Sequence, residues 1–357
     1  MSDVDKSAVA QAENVSEKPR KRGCLGHCAK FWWAYLIAVV VIVVVVVPCV
    51  LLVAVPKIAQ QKIDDAELIL DGIVVTQAET KSLTMAINST IKTDGSVHAD
   101  IDGFEGVMYL EDHEPHTPFA KINFPATTAD KLQTVNVTQN LHITDVEALT
   151  RFNTWLLIND TLRVTVKGDT HVHVKGISRA YSVVFKKTIT MPGLRGLDGT
   201  VVKPTWIGLK PDQKGNNFRA DTIIPNHSRV SFELGNVTFH NYLLGDEIGT
   251  VYIDNLTLRP GNNEYPMRAT IENPAVIDAL GKKPYCEENG VLPFQIRGKK
   301  VVRNGQSLPY FANALAAYNQ TVKIPIGEAV NASLGITIPC GGLGGGGEKR
   351  GFSSLLF

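Results

Sequence analysis

Residues 230–253 read VSFELGNVTFHNYLLGDEIGTVYI, and their alternation decides the fold. Val230, Phe232 and Leu234 recur at every second position, and Val251 and Ile253 resume the pattern. A period of two puts one set of side chains on a buried face and the other in water, the signature of a half-buried strand. The pattern spreads outward on both sides. Met267, Ala269 and Ile271 follow, then Phe294 and Ile296. Towards the N-terminus, Leu162, Val164 and Val166 alternate, as do Val135 and Val137. Leu83, Met85, Ile87 and Ile91 share one face, opposite Thr84, Asn88 and Thr90. Short strands punctuated by Gly and Pro predict a mainly β protein of antiparallel sandwiches.

Helical patterning is sparse. Thr144-Asp145-Val146-Glu147 has the form of a capping box, and Val146, Leu149, Phe152 and Leu156 follow at helical spacing. A second short helix is expected from Pro274 to Gly281 and a third from Pro309 to Ala317.

The pieces recur. FEGVMYL, PFAKINF, QTVNVT, the capped helix and DTLRVTVKG are echoed in order by HNYLLGDEIG, TVYIDNL, MRATIEN, the helix at Pro274 and LPFQIRG. An internal duplication gives two β-sandwich domains, expected over 60–198 and 199–340.

Residues 31–55 obey a different rule. No charge occurs between Lys30 and Lys57, and Ala38–Val47 is nearly all Val and Ile. Twenty-five helical residues reach about 37 Å, more than the roughly 30 Å of hydrocarbon in a bilayer. Trp32, Trp33 and Tyr35 gather at one end, where amphipathic rings favour the headgroup level. The stretch is too long for the apolar core of a cleaved signal peptide, so a retained transmembrane helix is expected. Lys18, Arg20, Lys21, Arg22 and Lys30 precede it, whereas only Lys57 and Lys62 closely follow. The positive-inside rule then keeps the N-terminus in the cytosol, a type II arrangement. Residues 1–30 read as a disordered cytosolic tail and 341–357, with GGLGGGG, as a flexible Gly-rich tail.

Eight of the twenty asparagines beyond the span head Asn-x-Ser/Thr triplets: Asn88, Asn136, Asn159, Asn226, Asn236, Asn255, Asn319 and Asn331. These are glycosylation candidates for a lumenal region, set against accidental triplets in a Thr-rich β protein. Cys286 and Cys340 are the only cysteines beyond the span, and pair as a disulfide or stay as two free thiols. Cys24 and Cys28, beside basic residues, are palmitoylation candidates or unmodified thiols.

The phrases NVTFHNYLLGDEIGTVYI and MRATIENPAVID, behind a membrane span, resemble the late-embryogenesis-abundant type 2 β-sandwich, also called the water-stress-hypersensitivity domain. IIPNH and IENPAV echo the Asn-Pro-Asn phrase of its plant members. The layout is similar to fungal type II proteins with tandem domains of this kind, a family that includes a vacuolar-membrane protein implicated in ending autophagy. The resemblance implies the fold, the topology and a vacuolar membrane; the plasma membrane or endoplasmic reticulum would equally carry glycans.

Little in the sequence points to catalysis. His171-Val172-His173 places two imidazoles on one strand face beside Asp169, yet Val172 and Val174 should take the core side and turn both rings to water. His113 and His116 belong to a polar loop. No P-loop, HExxH, nucleophile elbow or dinucleotide fingerprint occurs, so neither a cofactor nor a metal is expected. A net charge of +1 argues against a nucleic-acid partner. The expected function is therefore non-enzymatic: a bilayer-anchored lumenal module that scaffolds a membrane-protein partner. The alternatives are a lumenal module holding a lipid or other apolar ligand, and a hydrolase.

Overall fold

The computed structural model describes residues 24–342, with side chains from Trp32 onward; residues 1–23 and 343–357, which hold most of both expected tails, lie outside the described residues. The chain divides into two compact units, Met1–Lys57 and Ile58–Phe357.

Helix α1 (Cys24–Cys49), a π-helical turn (Val50–Ala54) and α2 (Val55–Asp65) follow one another directly. Among the described residues the helix already includes Cys24 and Cys28, ahead of the expected span. Pro48 and Pro56 bracket the π turn. Neither ring can donate to the carbonyl four residues back, and a widened turn accommodates the loss. From Trp32 on, the apolar stretch is long enough to cross a membrane, and none of its most apolar window is buried in protein. A helix this apolar and this long is compatible with a single-pass membrane span or a signal anchor.

In the second unit, the first half contains β1 (Glu67–Thr76), β2 (Ser82–Lys92), β3 (Ala99–Ile101), β4 (Phe104–Leu110), β5 (Ala120–Phe124), β6 (Thr127–Thr128) and β7 (Leu132–His142), then α3 (Val146–Ile158), β8 (Thr161–Val174) and β9 (Ala180–Pro192). The second half contains β10 (Val201–Ile207), β11 (Phe218–Asn226), β12 (Val230–Leu243), β13 (Asp246–Leu258) and β14 (Gly261–Ile271). After these come α4 (Asn273–Leu280), β15 (Val291–Arg303), β16 (Gln306–Ser307), α5 (Pro309–Ala316), β17 (Gln320–Pro325) and α6 (Ile326–Leu334). The protein is mainly β, with antiparallel sheets and short helices.

The duplication shows in the pairing. In the first half β1 pairs β2, β2 pairs β7, β4 pairs β5, β4 pairs β8 and β8 pairs β9. In the second, β10–β11, β11–β14, β12–β13, β12–β15 and β15–β17 repeat those partnerships in the same chain order. Each half also brings its first and last long strands together without pairing them, β1 beside β9 and β10 beside β17. The second half is thus a nearly closed barrel with one unlaced seam, whereas the first has two, because β5 and β7 also lie side by side without pairing.

The halves on either side of residues 198 and 199 share a sheet. Strand β1 pairs β12 in parallel, Ile73 against Val230 and Val75 against Phe232, and this joins β1, β2 and β7 to the second half in one 11-stranded sheet, while β3, β4, β5, β6, β8 and β9 form a separate six-stranded sheet. Side chains from both halves form one continuous apolar core, and α3 packs on α5.

The α3 N-cap differs from the expected capping box. Asp145, not Thr144, caps the helix, its carboxylate accepting from the Ala148 amide at 2.9 Å. Glu147 turns instead to Arg151 at 3.1 Å. A carboxylate is a stronger acceptor than a hydroxyl and answers the positive end of the helix dipole. The α4 and α5 bounds agree with expectation within a residue. Helix α6 was not expected, because Gly327, Asn331 and Ser333 blur its apolar stripe.

Candidate functional site

Alternation along β11 to β15 and β17 fills the second barrel with apolar side chains. They leave a cavity of ≈ 50 Å³ between the sheet faces, lined by Phe218, Phe239, Val251, Ala269, Phe294 and Val322 among others. A second cavity of ≈ 50 Å³ lies at the barrel end, between α4 and α6, where Val276, Val330, Leu334, Ile336 and Ile338 form its wall. Phe218, Ile271 and Phe294 line both, so the two are neighbours across three side chains. Small-molecule pockets commonly hold about 300–1,000 Å³. Each of these two cavities is far smaller than that.

Four polar residues interrupt the inner cavity's apolar lining: Thr200 and Gln320, which bond to each other, and Thr222 and Asn241. Thr222 Oγ1 and Asn241 Oδ1 line the inner cavity, and neither has a hydrogen-bond partner; both residues are 3% exposed. Asn241 stands opposite Gly249, Gly249 opposite Ile271, and Tyr265, six residues back on the same strand, opposite Thr222. At about 3.3 Å per residue the two orphans sit roughly 20 Å apart along the strands. A buried unpartnered group costs about 1–3 kcal/mol, so each invites a water or a ligand atom. Sequence reading missed both. The signal was present, because each interrupts an inward apolar series: Ala220-Thr222-Ile224 and Phe239-Asn241-Leu243.

The expected site residues are scattered. Asn88, Asn136, Asn236, Asn255, Asn319 and Asn331 are exposed. Asn88 and Asn136 are direct cross-strand partners on the outer face of the large sheet. Asn159 is half-buried, its Nδ2 donating to the Trp155 carbonyl at 3.0 Å. Asn226 has to be removed from the glycosylation candidates. It is 3% exposed, its Nδ2 donates to the Val230 carbonyl at 2.8 Å, and its Oδ1 accepts from the Ser228 amide and hydroxyl. A glycan on that nitrogen would have no exit from the fold.

Cys286 and Cys340 are joined by a disulfide, with Cα atoms 5.2 Å apart. Cys24 and Cys28 fall in the first turns of α1. His171 and His173 are both exposed, and His173 Nε2 lies 3.1 Å from Asp102 Oδ2. His116 stacks on Tyr109 and His113 lies edge-on to Trp155. Among the described residues no three His, Cys, Asp or Glu side chains are placed to hold a metal ion.

A third feature lies on the outer face of the second barrel. Trp206, Arg219, Arg268 and Tyr252 form one cross-strand row over β10, β11, β14 and β13. The Arg219 guanidinium sits 5.1 Å from the Trp206 ring centre and that of Arg268 4.6 Å from Tyr252. Asp212 and Asp254 pair with the two arginines at 2.7 and 3.0 Å. Hydrogen bonds from the Asn216 amide and Arg219 hold the Asp212 carboxyl at about 2.

A family model described as a protein of unknown function, DUF3712, matches residues 117–241, a stretch running from just before β5 into β12. No curated protein matches the chain. Among solved structures it is similar to red sea bream transglutaminase, at 12% identity and TM-score 0.23, over 76% of this chain and 33% of that one. It is also similar to a disulfide- and isopeptide-cross-linked adhesin of Mobiluncus mulieris, at 11% identity and TM-score 0.20, over 73% of this chain and 98% of that one. An exo-chitosanase of Amycolatopsis orientalis aligns at 11% identity and TM-score 0.17, over 71% of this chain and 26% of that one.

Proposed function

We propose that the chain is a single-pass, membrane-anchored binding module whose second barrel takes an apolar ligand between its sheet faces. The observation that carries this reading is the pair of adjoining apolar cavities, with Thr222 and Asn241 unpartnered inside. An apolar interior gives affinity without direction, and two isolated polar atoms would fix the orientation of a ligand with one or two polar groups. The flanking charges support a cytosolic N-terminus and a lumenal β unit. The exposed Asn-x-Ser/Thr triplets support glycosylation there, and the family resemblance supports the fungal vacuolar membrane and a link to autophagy control. Binding, not catalysis, is the role.

A second reading, scaffolding of a membrane-protein partner, is favoured by the outer row of Trp206, Arg219, Arg268 and Tyr252. These residue types dominate interface energetics.

The ligand reading is tested by organic extraction of purified full-length protein and mass spectrometry of the extract. The wild type should release an amphiphile in near-equal amount to the protein. Ala269→Phe, which fills the inner cavity from a fully buried position, should release far less at unchanged circular dichroism. An extract with no stoichiometric compound beyond bulk lipid and detergent would end this reading and leave the scaffold.

A further inference from the structure

The outer cavity has an irregular wall. Helix α6 ends at Gly335, whose φ of 67° turns the chain out of the helix. Ile336 and Ile338 then point alternately onto the cavity while Thr337 and Pro339 face water. The stretch crosses from the end of α6 to the end of α4. There the Gly341 amide donates to the Gly281 carbonyl at 2.9 Å. A side chain at Gly281 would meet Gly342 at 2.7 Å, so this close approach requires glycine. Between Ile336 and Pro339 no backbone amide is hydrogen-bonded among the described residues. What fastens the far end is the disulfide from Cys340, which is exposed, to Cys286.

The other walls are firmer. Helices α4 and α6 have regular backbone bonding, and the remaining irregular wall, at Leu209, is held by Asn273 Nδ2 on the Gly208 and Leu209 carbonyls at 3.2 and 2.9 Å. Without its disulfide the crossing segment would keep two half-buried isoleucines and the bond to Gly281. Gly341 and Gly342, with φ of 97° and 76°, lie at its far end, where the Gly342 amide also donates to the Pro339 carbonyl at 3.0 Å.

We propose that residues 335–342 are a disulfide-latched lid over the mouth of the apolar interior, closed while Cys286 and Cys340 are joined and opened by a dithiol reductant. The inference rests on the apolar-ligand reading and adds the route of entry and its control. In the opening step a thiolate of the dithiol attacks the sulfur of exposed Cys340, and Cys286 leaves and takes up a proton. The second thiol of the reductant then displaces Cys340. Two cysteine thiols are formed and the dithiol ends as its own disulfide. The freed segment swings about Gly335 and exposes the space beneath Ile336 and Ile338.

The test uses full-length protein in lipid nanodiscs and palmitate carrying a photoactivatable diazirine. Labelling is read by peptide mapping at the peptides holding Phe218 and Phe294, with the residue 31–55 span as internal control. Reduction should raise interior labelling at least about fivefold while span labelling stays constant. Cys286→Ser with Cys340→Ser should show the raised level without reductant; if that variant does not fold, the reduced native chain decides. Equal interior labelling in oxidised and reduced protein would remove the lid and leave the ligand reading intact. Absence of interior labelling in both states would remove both. Global loss of β circular dichroism on reduction would show the disulfide to be a structural staple, and would also overturn the lid.

Discussion

Lys187 sits under the last turn of α2, 9% exposed, with Nζ donating to the Asp64 carbonyl at 2.7 Å. A cation there answers the negative end of the helix and satisfies a carbonyl that has no partner within it. Burial lowers the lysine pKa, and the nearby Asp64 and Asp65 oppose that shift. An unfolded lysine binds its proton more tightly than this one, so stability is depressed below the folded pKa and recovers as pH rises towards the ordinary 10.5. Lys187→Met should abolish this rise. Chemical unfolding from pH 8 to about 10.5 should show wild-type stability climbing relative to the variant. Parallel curves would mean that the ammonium pays no desolvation cost. Residues of this kind were illegible in the sequence, where Lys186 and Lys187 are two adjacent lysines in a strand. Alternation sends Lys187 to the inner face with Tyr181 and Val183, and the docking of α2 supplies the carbonyl it meets there.

At the scale of elements, glutamine side chains lace the seams that ladders leave open. Gln139 of β7 accepts from the Asn123 amide and donates to the Lys121 carbonyl of β5, at 3.1 and 3.2 Å. Gln60 of α2 does the same for Val184 on β9, at 2.8 and 2.9 Å. Gln320 of β17 donates to the Leu197 carbonyl and the Thr200 hydroxyl just before β10, at 2.7 and 2.8 Å. A side-chain amide carries the same donor and acceptor as a peptide unit. Gln320 is buried, so Gln320→Leu should cost about 1–3 kcal/mol, whereas Gln139→Leu, at a solvated seam, should cost less than about 1. Urea midpoints of the two variants give the comparison; equal losses would refute the distinction. The strands themselves were readable, since Leu162, Val164 and Val166 do face the core. The seams were not, because a glutamine bridging two strands has the same local pattern as one facing water.

For the whole molecule, the duplication could be followed in the sequence through the order of its strand phrases. The parallel joint between β1 and β12 could not, since pairing of remote strands leaves no local periodicity. Burial also sorts the Asn-x-Ser/Thr triplets. In sealed microsomes, added protease should remove the tail around Lys18–Arg22 and spare the β unit, and glycosidase should lower the mass of the protected fragment. Asn136→Gln should remove one glycan step. Asn226→Gln should remove none, yet should lower the melting temperature by breaking the Val230 and Ser228 hydrogen bonds. A glycan found on Asn226 in folded protein, or protection of the N-terminal tail, would contradict this arrangement.

The β1–β12 joint also sets a timetable for synthesis. Ile73 emerges early, but its partner Val230 comes more than a hundred residues later. At about 5–20 residues per second the wait is on the order of ten to thirty seconds. Throughout it, the first barrel carries an open strand edge whose proper neighbour has not yet been made. Such an edge recruits whatever strand is nearest. A nascent chain of this design therefore depends on chaperone cover, and truncations that end before β12 should aggregate rather than yield a stable half.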